Sequence, residues 1–170
     1  QDMLPCLEEA LASSGLESSW LELEITETIA MEKGVIRLFH KLKKLGLHLA
    51  IDDFGKGYSS LNRLKDFPVD RLKIDKSFVR SLHTEWDRNA ICRAIVQLGH
   101  SLNLKVIAEG VETIEELENL KELGCDEAQG FLFSPALPQQ DFEQFLKSHS
   151  PAHKADNVET LRPIRSSTGV

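Results

Sequence analysis

Apolar residues recur along the chain with two different periods. Helical spacing in residues 3–14, 35–45 and 91–102 predicts amphipathic helices, and each is followed by a short apolar run that predicts a buried strand. Strands are expected at residues 20–27, 47–51, 71–76, 104–108 and 125–134. Helices that alternate with strands are typical of a parallel sheet covered by helices. The pattern therefore predicts an α/β protein built from five strand–helix units.

Acidic side chains lie at or just beyond the ends of four predicted strands. They are Glu24 with Glu27, Asp52 with Asp53, Asp75, and Glu109 with Glu112. In a (β/α)8 barrel the C-terminal ends of the strands converge on one mouth, where active sites are built. An open doubly wound sheet would also gather these residues, but the chain has no glycine-rich phosphate loop of the Rossmann or P-loop type. A TIM-like barrel is therefore the preferred fold.

Carboxylates that converge in this way predict a cation site. Several negative charges in one place are unfavourable without counter-charge, and oxygen ligands suit hard divalent cations such as Mg²⁺ or Mn²⁺. Two such ions could share one aspartate and clamp a phosphodiester for attack by water. Lys73 shares a strand face with Asp75 and would lie beside the ions as a cation for phosphate oxygens or water.

Each of these residues also has a simpler interpretation. Asp52 and Asp53 could merely cap the turn and helix that follow them. Glu22 and Glu24 alternate with Leu23 and Ile25, as on a strand with one solvated face. Lys73 could form a plain salt bridge with Asp75 or a neighbour, or it could form a Schiff base in a barrel lyase.

Composition argues against several other classes of protein. The net charge is −7 and the lysines and arginines are scattered, which is unlike a surface that tracks nucleic acid. No apolar run approaches the roughly 18 residues of a membrane-spanning helix. The three cysteines are far apart and lack nearby histidines, so they are expected to be reduced thiols of a cytoplasmic protein rather than a disulfide or zinc site.

Five sequence blocks resemble one known family in their order and spacing. The blocks are EITE at 24–27, DDFGKGYSSL at 52–61, LKIDKSFV at 72–79, AEGVET at 108–113 and QGFLFS at 129–134. They are similar to those of EAL domains, the cyclic-di-GMP phosphodiesterases of bacterial second-messenger signalling. The resemblance covers roughly residues 1–147, and residues 148–170 are expected to form a disordered polar tail.

The resemblance implies a TIM-like barrel that hydrolyses cyclic-di-GMP to the linear dinucleotide with two Mg²⁺ or Mn²⁺ ions. By the family's pattern, Glu24 and Asp52 would hold one ion, and Asp52 would bridge to a second ion held also by Asp53 and Glu109. Lys73 would contact the water or phosphate, Gln129 would order water or substrate, and Glu109 would share their catalytic role. Glu112 would contact substrate and support the mouth of the site, and Glu27 would support the glycine loop.

The resemblance also shows where this chain departs from the family. Lys56 stands where the family usually has threonine, and the strands that carry the Glu-Ala-Leu signature and a metal-binding asparagine are missing. Five strands of the barrel's eight are therefore expected, and the fragment alone is expected to be inactive. The implied partners are cyclic-di-GMP, a second copy contacted through the loop after Asp53, and an upstream sensor or GGDEF-type domain, but no DNA. An alternative is a degenerate module that binds cyclic-di-GMP or a protein without hydrolysis.

Overall fold

The structure is a computed structural model that describes residues 3–32, 34–56, 61–80 and 86–149. A five-stranded parallel sheet forms its centre, with the strands in the order β1-β2-β3-β4-β5. The strands are β1 (Glu22–Thr26), β2 (His48–Phe54), β3 (Arg71–Ile74), β4 (Lys105–Ala108) and β5 (Glu127–Ala128). Every strand pairs with its neighbours in sequence, so the strand order never reverses. A doubly wound sheet has such a reversal, whereas a barrel does not.

Helices connect successive strands, as the predicted alternation requires. They are α1 (Met3–Ser14), α2 (Glu27–Ala30), α3 (Val35–Lys44), α4 (Leu61–Leu64), α5 (Lys76–Val79), α6 (Trp86–Ser101), α7 (Ile114–Glu122) and α8 (Gln139–His149). A short 3-10 helix, Ser18–Trp20, precedes β1. The predicted α/β fold with five strand–helix units is confirmed, and it corresponds to part of a TIM-like barrel.

The core lies between the sheet and the helices that cover it. Leu49 and Ile51 of β2, Leu72 and Ile74 of β3, and Val106 of β4 are fully buried. Strand β2 has three consecutive buried apolar residues, whereas β3 alternates basic and apolar side chains. Helix α3 contributes Phe39 and Leu42, which come from the helical stripe seen in the sequence.

Strands β2 and β5 differ most from their predicted extents. Strand β2 continues through Asp52 and Asp53, which were expected just beyond its end. Strand β5 has two residues, whereas the prediction extended to residue 134. The reason is that the chain after β5 packs its backbone against the loop that follows β4. A Cβ atom on Gly130 would lie 2.2 Å from the carbonyl oxygen of Val111, and Leu132 N–H donates to that same oxygen.

The chain divides into two compact units, residues 1–132 and 133–170. The first unit contains the sheet and helices α1–α7, and the described part of the second contains α8, which extends through Ser148 and His149. The rest of the predicted tail lies outside the described residues. None of the described helices is both long enough and apolar enough to cross a lipid bilayer.

Two aspartates repeat one arrangement at the N-terminal edge of the sheet. Asp70 precedes β3 and accepts a hydrogen bond from Leu49 N–H of β2 at 2.8 Å. Asp126 precedes β5 and accepts from Val106 N–H of β4, also at 2.8 Å. Each carboxylate also contacts a basic side chain, Lys43 at 2.7 Å and His100 at 2.9 Å respectively. These contacts fix adjacent strands relative to each other at the edge opposite the acidic residues.

The Asp70 arrangement predicts a change in the pH dependence of stability. Burial alone would raise the pKa of Asp70, but the hydrogen bonds from Lys43 and from Leu49 N–H outweigh it and hold the pKa below its usual value. A carboxylate with a depressed folded pKa stabilises the fold above its unfolded pKa of about 3.9 and loses that contribution as the pH falls. In Asp70→Asn, the free energy of unfolding should therefore fall at pH 6 and depend less on pH below about 4. Urea unfolding at several pH values tests this, with the exposed variant Asp66→Asn as the control. Equal slopes of the unfolding free energy against pH in the two variants would contradict the prediction.

Candidate active site

A buried lysine organises the C-terminal edge of the sheet. Lys73 lies on β3, and its side chain is 4% exposed. Its ammonium nitrogen lies 2.5 Å from Oε1 of Glu24, 2.5 Å from Oε1 of Glu109 and 3.3 Å from Oδ1 of Asp52. Burial alone would lower the pKa of Lys73, but the hydrogen bonds to Glu109 and Glu24 and the charge of Asp52 raise it above the usual lysine value. Lys73 is therefore a permanent cation within a group of carboxylates.

The parallel register brings these residues together from four strands. Glu24 lies on β1, Asp52 on β2, and Glu109 directly follows β4, so Lys73 of β3 has acidic neighbours on both sides. Because all strands run in the same direction, side chains near their C-terminal ends share one edge. The convergence expected from the sequence is confirmed for Glu24, Asp52 and Glu109. The simple interpretation, in which Lys73 pairs with Asp75 or a neighbour, is confirmed as to the neighbours, since its salt bridges are with Glu24, Asp52 and Glu109.

An irregularity in the backbone of β2 orients the side chains of Asp52 and Asp53. The pairing of β2 with β3 shifts register between Ile51 and Phe54, which is the position of Asp52 and Asp53. Asp53 adopts a φ of 55°, a left-handed conformation that costs an L-residue about 1–2 kcal/mol. Its N–H donates to Oδ1 of Asp52 at 2.9 Å, which offsets part of this cost. Such irregularities re-aim side chains and recur beside active sites.

The result is a group of carboxylates with the composition of a metal site. One oxygen each from Asp52, Asp53 and Glu109 lies within 4.8 Å of the others, and all three side chains are partly buried. Among the residues that the structure describes, this is the one group of three acidic, histidine or cysteine side chains with such geometry. Hard oxygen donors from three convergent side chains fit Mg²⁺ or Mn²⁺ better than a soft metal.

The other candidate residues lie around this centre. Gln129 directly follows β5, and its side-chain amide donates to Oε1 of Glu109 at 2.8 Å. Glu27, which is 4% exposed, accepts a hydrogen bond from Gly55 N–H at 3.0 Å, in the loop that follows Asp53. Glu112 points to solvent and pairs with Arg80 at 2.8 Å. The structure therefore brings Gln129 to the carboxylates and Glu27 to the loop, whereas Glu112 forms a separate ion pair.

A second lysine was not anticipated as part of the site. The ammonium nitrogen of Lys56 lies 2.9 Å from Oδ1 of Asp53 and 2.7 Å from Oδ2 of Asp75. Asp75 is 2% exposed, and its other oxygen caps α5 by accepting from Ser77 N–H at 2.8 Å. Burial alone would raise the pKa of Asp75, but the bonds from Lys56 and Ser77 lower it well below the usual value. Asp75 is therefore a structural partner of Lys56 and α5. In the sequence, the feature that could have drawn attention to Lys56 was its place in the glycine loop, where the resemblance implies a threonine.

Comparison with known proteins identifies the family. The family model of the EAL domain matches residues 1–136. The chain belongs to the EAL domain family. Among relatives of this EAL chain, the cyclic di-GMP phosphodiesterase NbdA of Pseudomonas aeruginosa is 42% identical over 157 residues, covering 91% of this chain and 20% of NbdA.

Solved structures of EAL proteins agree with this assignment. The PaMucR phosphodiesterase in complex with c-di-GMP superposes with a TM-score of 0.79 at 43% identity, covering 82% of this chain and 57% of that one. A manganese and cy-diGMP complex of Klebsiella pneumoniae BlrP1 gives a TM-score of 0.71 at 39% identity, covering 78% of this chain and 34% of BlrP1. This EAL chain spans about a fifth of the length of its relative NbdA, which has further sequence outside the match.

The position of Lys73 predicts that a metal ion can replace part of its role. In Lys73→Met, Glu24, Asp52 and Glu109 lose their shared cation, so the unfolding free energy should fall by about 2 kcal/mol in EDTA. Added Mn²⁺ should then stabilise the variant more than the unmodified chain, because the ion would offset the same repulsion. Urea unfolding with EDTA and with Mn²⁺ measures both effects, and Lys105→Met, at an exposed position, is the control. Equal stabilisation of both variants by Mn²⁺ would contradict the prediction.

Proposed function

We propose that this chain is the C-terminal part of a metal-dependent EAL phosphodiesterase that hydrolyses cyclic-di-GMP to the linear dinucleotide. The observation that carries the proposal is the convergence of Asp52, Asp53 and Glu109 beside buried Lys73. A carboxylate cluster with an adjacent fixed cation suits a phosphodiester, whose negative oxygens need positive charge on more than one side. The names of the relatives NbdA and PaMucR support the same substrate class.

In this proposal the residues of the chain have distinct roles. Asp52 would bridge two Mg²⁺ or Mn²⁺ ions, Glu24 would complete one site, and Asp53 with Glu109 would complete the other. Such ions supply Lewis-acid stabilisation of the phosphodiester and make a hydrolytic water more acidic. Lys73 would hold phosphate oxygens or orient the attacking water through its ammonium group, and Gln129, bound to Glu109, would help to place water or substrate.

Three further residues would support this centre without contact to the reacting atoms. Glu27 would hold the loop after Asp53 through its bond to Gly55 N–H, and Glu112 with Arg80 would stabilise the rim of the mouth. The resemblance also implies that the loop after Asp53 forms a homodimer contact and that a sensor or GGDEF-type domain lies upstream. Residues 57–60 of that loop lie outside the described residues, so the dimer contact stays a prediction.

Hydrolysis of cyclic-di-GMP by a completed barrel tests the proposed function. In the fusion, the first three strands of the PaMucR phosphodiesterase precede residues 1–147 of this chain. The fusion should produce linear dinucleotide with Mn²⁺, whereas residues 1–170 alone should not. An open sheet lacks both a rigid clamp and the missing ligands. In the fusion, Asp52→Asn should lower the turnover about 1,000-fold or more, because one carboxylate serves both ions. Exposed Asp66→Asn is the control. Near-normal turnover of the Asp52→Asn fusion would reject the assignment.

Glu27→Ala in the same fusion tests the distinction between ligand and support. The variant should lower turnover about tenfold by releasing the loop at Gly55, while Mn²⁺ affinity stays close to that of the unmodified fusion. Steady-state kinetics together with manganese titration separate these quantities. Glu24→Ala serves as the comparison, and an equal loss of manganese affinity in both variants would show that Glu27 is itself a ligand.

A further inference from the structure

Lys56 links a candidate metal ligand to a buried carboxylate. Its ammonium group contacts Oδ1 of Asp53 at 2.9 Å and Oδ2 of Asp75 at 2.7 Å. Its side chain is 48% exposed, whereas Asp75 is almost fully enclosed. Contact with a buried carboxylate distinguishes Lys56 from a lysine that only covers the surface. The two contacts place a positive charge at a defined position next to the carboxylate cluster.

Asp75 provides a rigid anchor for this charge. One of its oxygens accepts from Ser77 N–H and caps α5, and the other binds Lys56. Because the cap fixes the carboxylate independently of Lys56, the ammonium group has a stationary partner on one side. Its contact with Asp53 is therefore made by a charge that is held in place, rather than by a mobile surface side chain.

Asp53 faces two competing demands for its carboxylate. It belongs to the cluster with Asp52 and Glu109, whose oxygens suit a divalent cation. One of its oxygens is already bound to Lys56. A cation placed in that cluster would lie close to the ammonium charge, and the two like charges would repel, with water at the half-exposed lysine screening part of the repulsion. Lys73 contributes a further positive charge at Asp52 and Glu109 on the other side.

We infer that Lys56 is a positioning residue that holds Asp53 and lowers the affinity of the Asp52–Asp53–Glu109 cluster for a divalent cation. The inference rests on the metal site of the proposed function. It makes occupancy of the second metal position sensitive to metal concentration, because the ion has to compete with the Lys56 ammonium group for Asp53.

The competition of Lys56 with a metal ion outweighs the support that Lys56 gives to Asp53, because other contacts hold the conformation of Asp53. Its N–H donates to Oδ1 of Asp52, and Gly55 N–H, two residues later, donates to Glu27. A Cβ atom on Gly55 would lie 2.8 Å from the ring of Phe78, so the backbone there is also confined by packing. Removal of the Lys56 ammonium group therefore leaves the backbone in place and frees the carboxylate oxygen.

Direct manganese binding to residues 1–170 tests the inference without any activity measurement. Free Mn²⁺ measured by electron paramagnetic resonance gives the dissociation constant for each variant. Lys56→Met should bind the tightest ion about tenfold more strongly than the unmodified chain, since one repulsive charge is lost. Lys56→Arg should keep the weak affinity. Lys41→Met, an exposed lysine of α3 whose loss changes the net charge equally, should remain within about twofold.

The outcomes separate this inference from the proposed function. If Asp52→Asn binds Mn²⁺ as well as the unmodified chain does, the proposed metal site is wrong and the inference fails with it. If no variant binds Mn²⁺, Lys56→Met included, Lys56 is not what limits the affinity of this chain and only the inference is overturned. If Asp52→Asn weakens binding but Lys56→Met leaves it unchanged, only the inference is overturned. Weaker binding in Lys56→Met would also overturn it, by showing that support of Asp53 outweighs competition.

A measurement on the unmodified chain covers the case in which Lys56→Met does not fold. Nitrogen-15 spectra of the lysine ammonium groups, with Lys56 assigned through Lys56→Arg, report its contact with Asp53 directly. Saturating Mg²⁺ should shift the Lys56 signal and speed its proton exchange, because the ion displaces it from Asp53. A Lys56 signal that Mg²⁺ leaves unchanged, while the signal of Lys73 moves, would overturn the inference.

Discussion

The buried ammonium group of Lys73 is the interaction on which the acidic edge of the sheet depends. Parallel pairing brings Glu24, Asp52 and Glu109 to one place whether or not their charges are compatible. Three carboxylates that share a partly buried site repel one another strongly, and a cation at their centre converts that repulsion into attraction. Lys73 can serve in this way because β3 is central and its neighbours on both sides supply acids. In the proposed function, the same charge would also contact a bound phosphodiester.

The N-terminal and C-terminal ends of the strands have different roles. At the N-terminal edge, Asp70 and Asp126 each join a strand N–H to a basic side chain, which fixes the strand starts. At the C-terminal edge, the backbone departs from regular pairing, with the register shift in β2 and the left-handed Asp53. Regular structure on one side stabilises the fold and allows strained, charged structure on the other. This division follows the general behaviour of (β/α)8 barrels, in which the C-terminal face carries chemistry.

The fold and most of the site could be predicted from the sequence because they depend on local pattern. Helical stripes and short apolar runs identified the strands, and the acids at strand ends identified Glu24, Asp52 and Glu109. The register shift at Asp52–Asp53 could not be predicted, since it arises from how β2 meets β3. The shortness of β5 was missed for a similar reason: the contact of Gly130 with the Val111 backbone involves residues far apart in sequence. The sequence did not determine which carboxylates contact Lys73, because that depends on distances in the folded chain.

The exposure of the site residues depends on whether they lie on central strands or on the edge strand of the sheet. Glu109 and Asp52, which adjoin central strands, are 18% and 25% exposed, whereas Glu24 on the edge strand β1 is 49% exposed. Water at Glu24 weakens its attraction to Lys73 and to any metal ion, because the effective dielectric constant is higher there. A further strand paired with β1 would exclude that water and satisfy the free backbone groups of the edge. In the proposed function, closure of the sheet and strength of the metal site would thus be coupled through Glu24, because one strand would provide both.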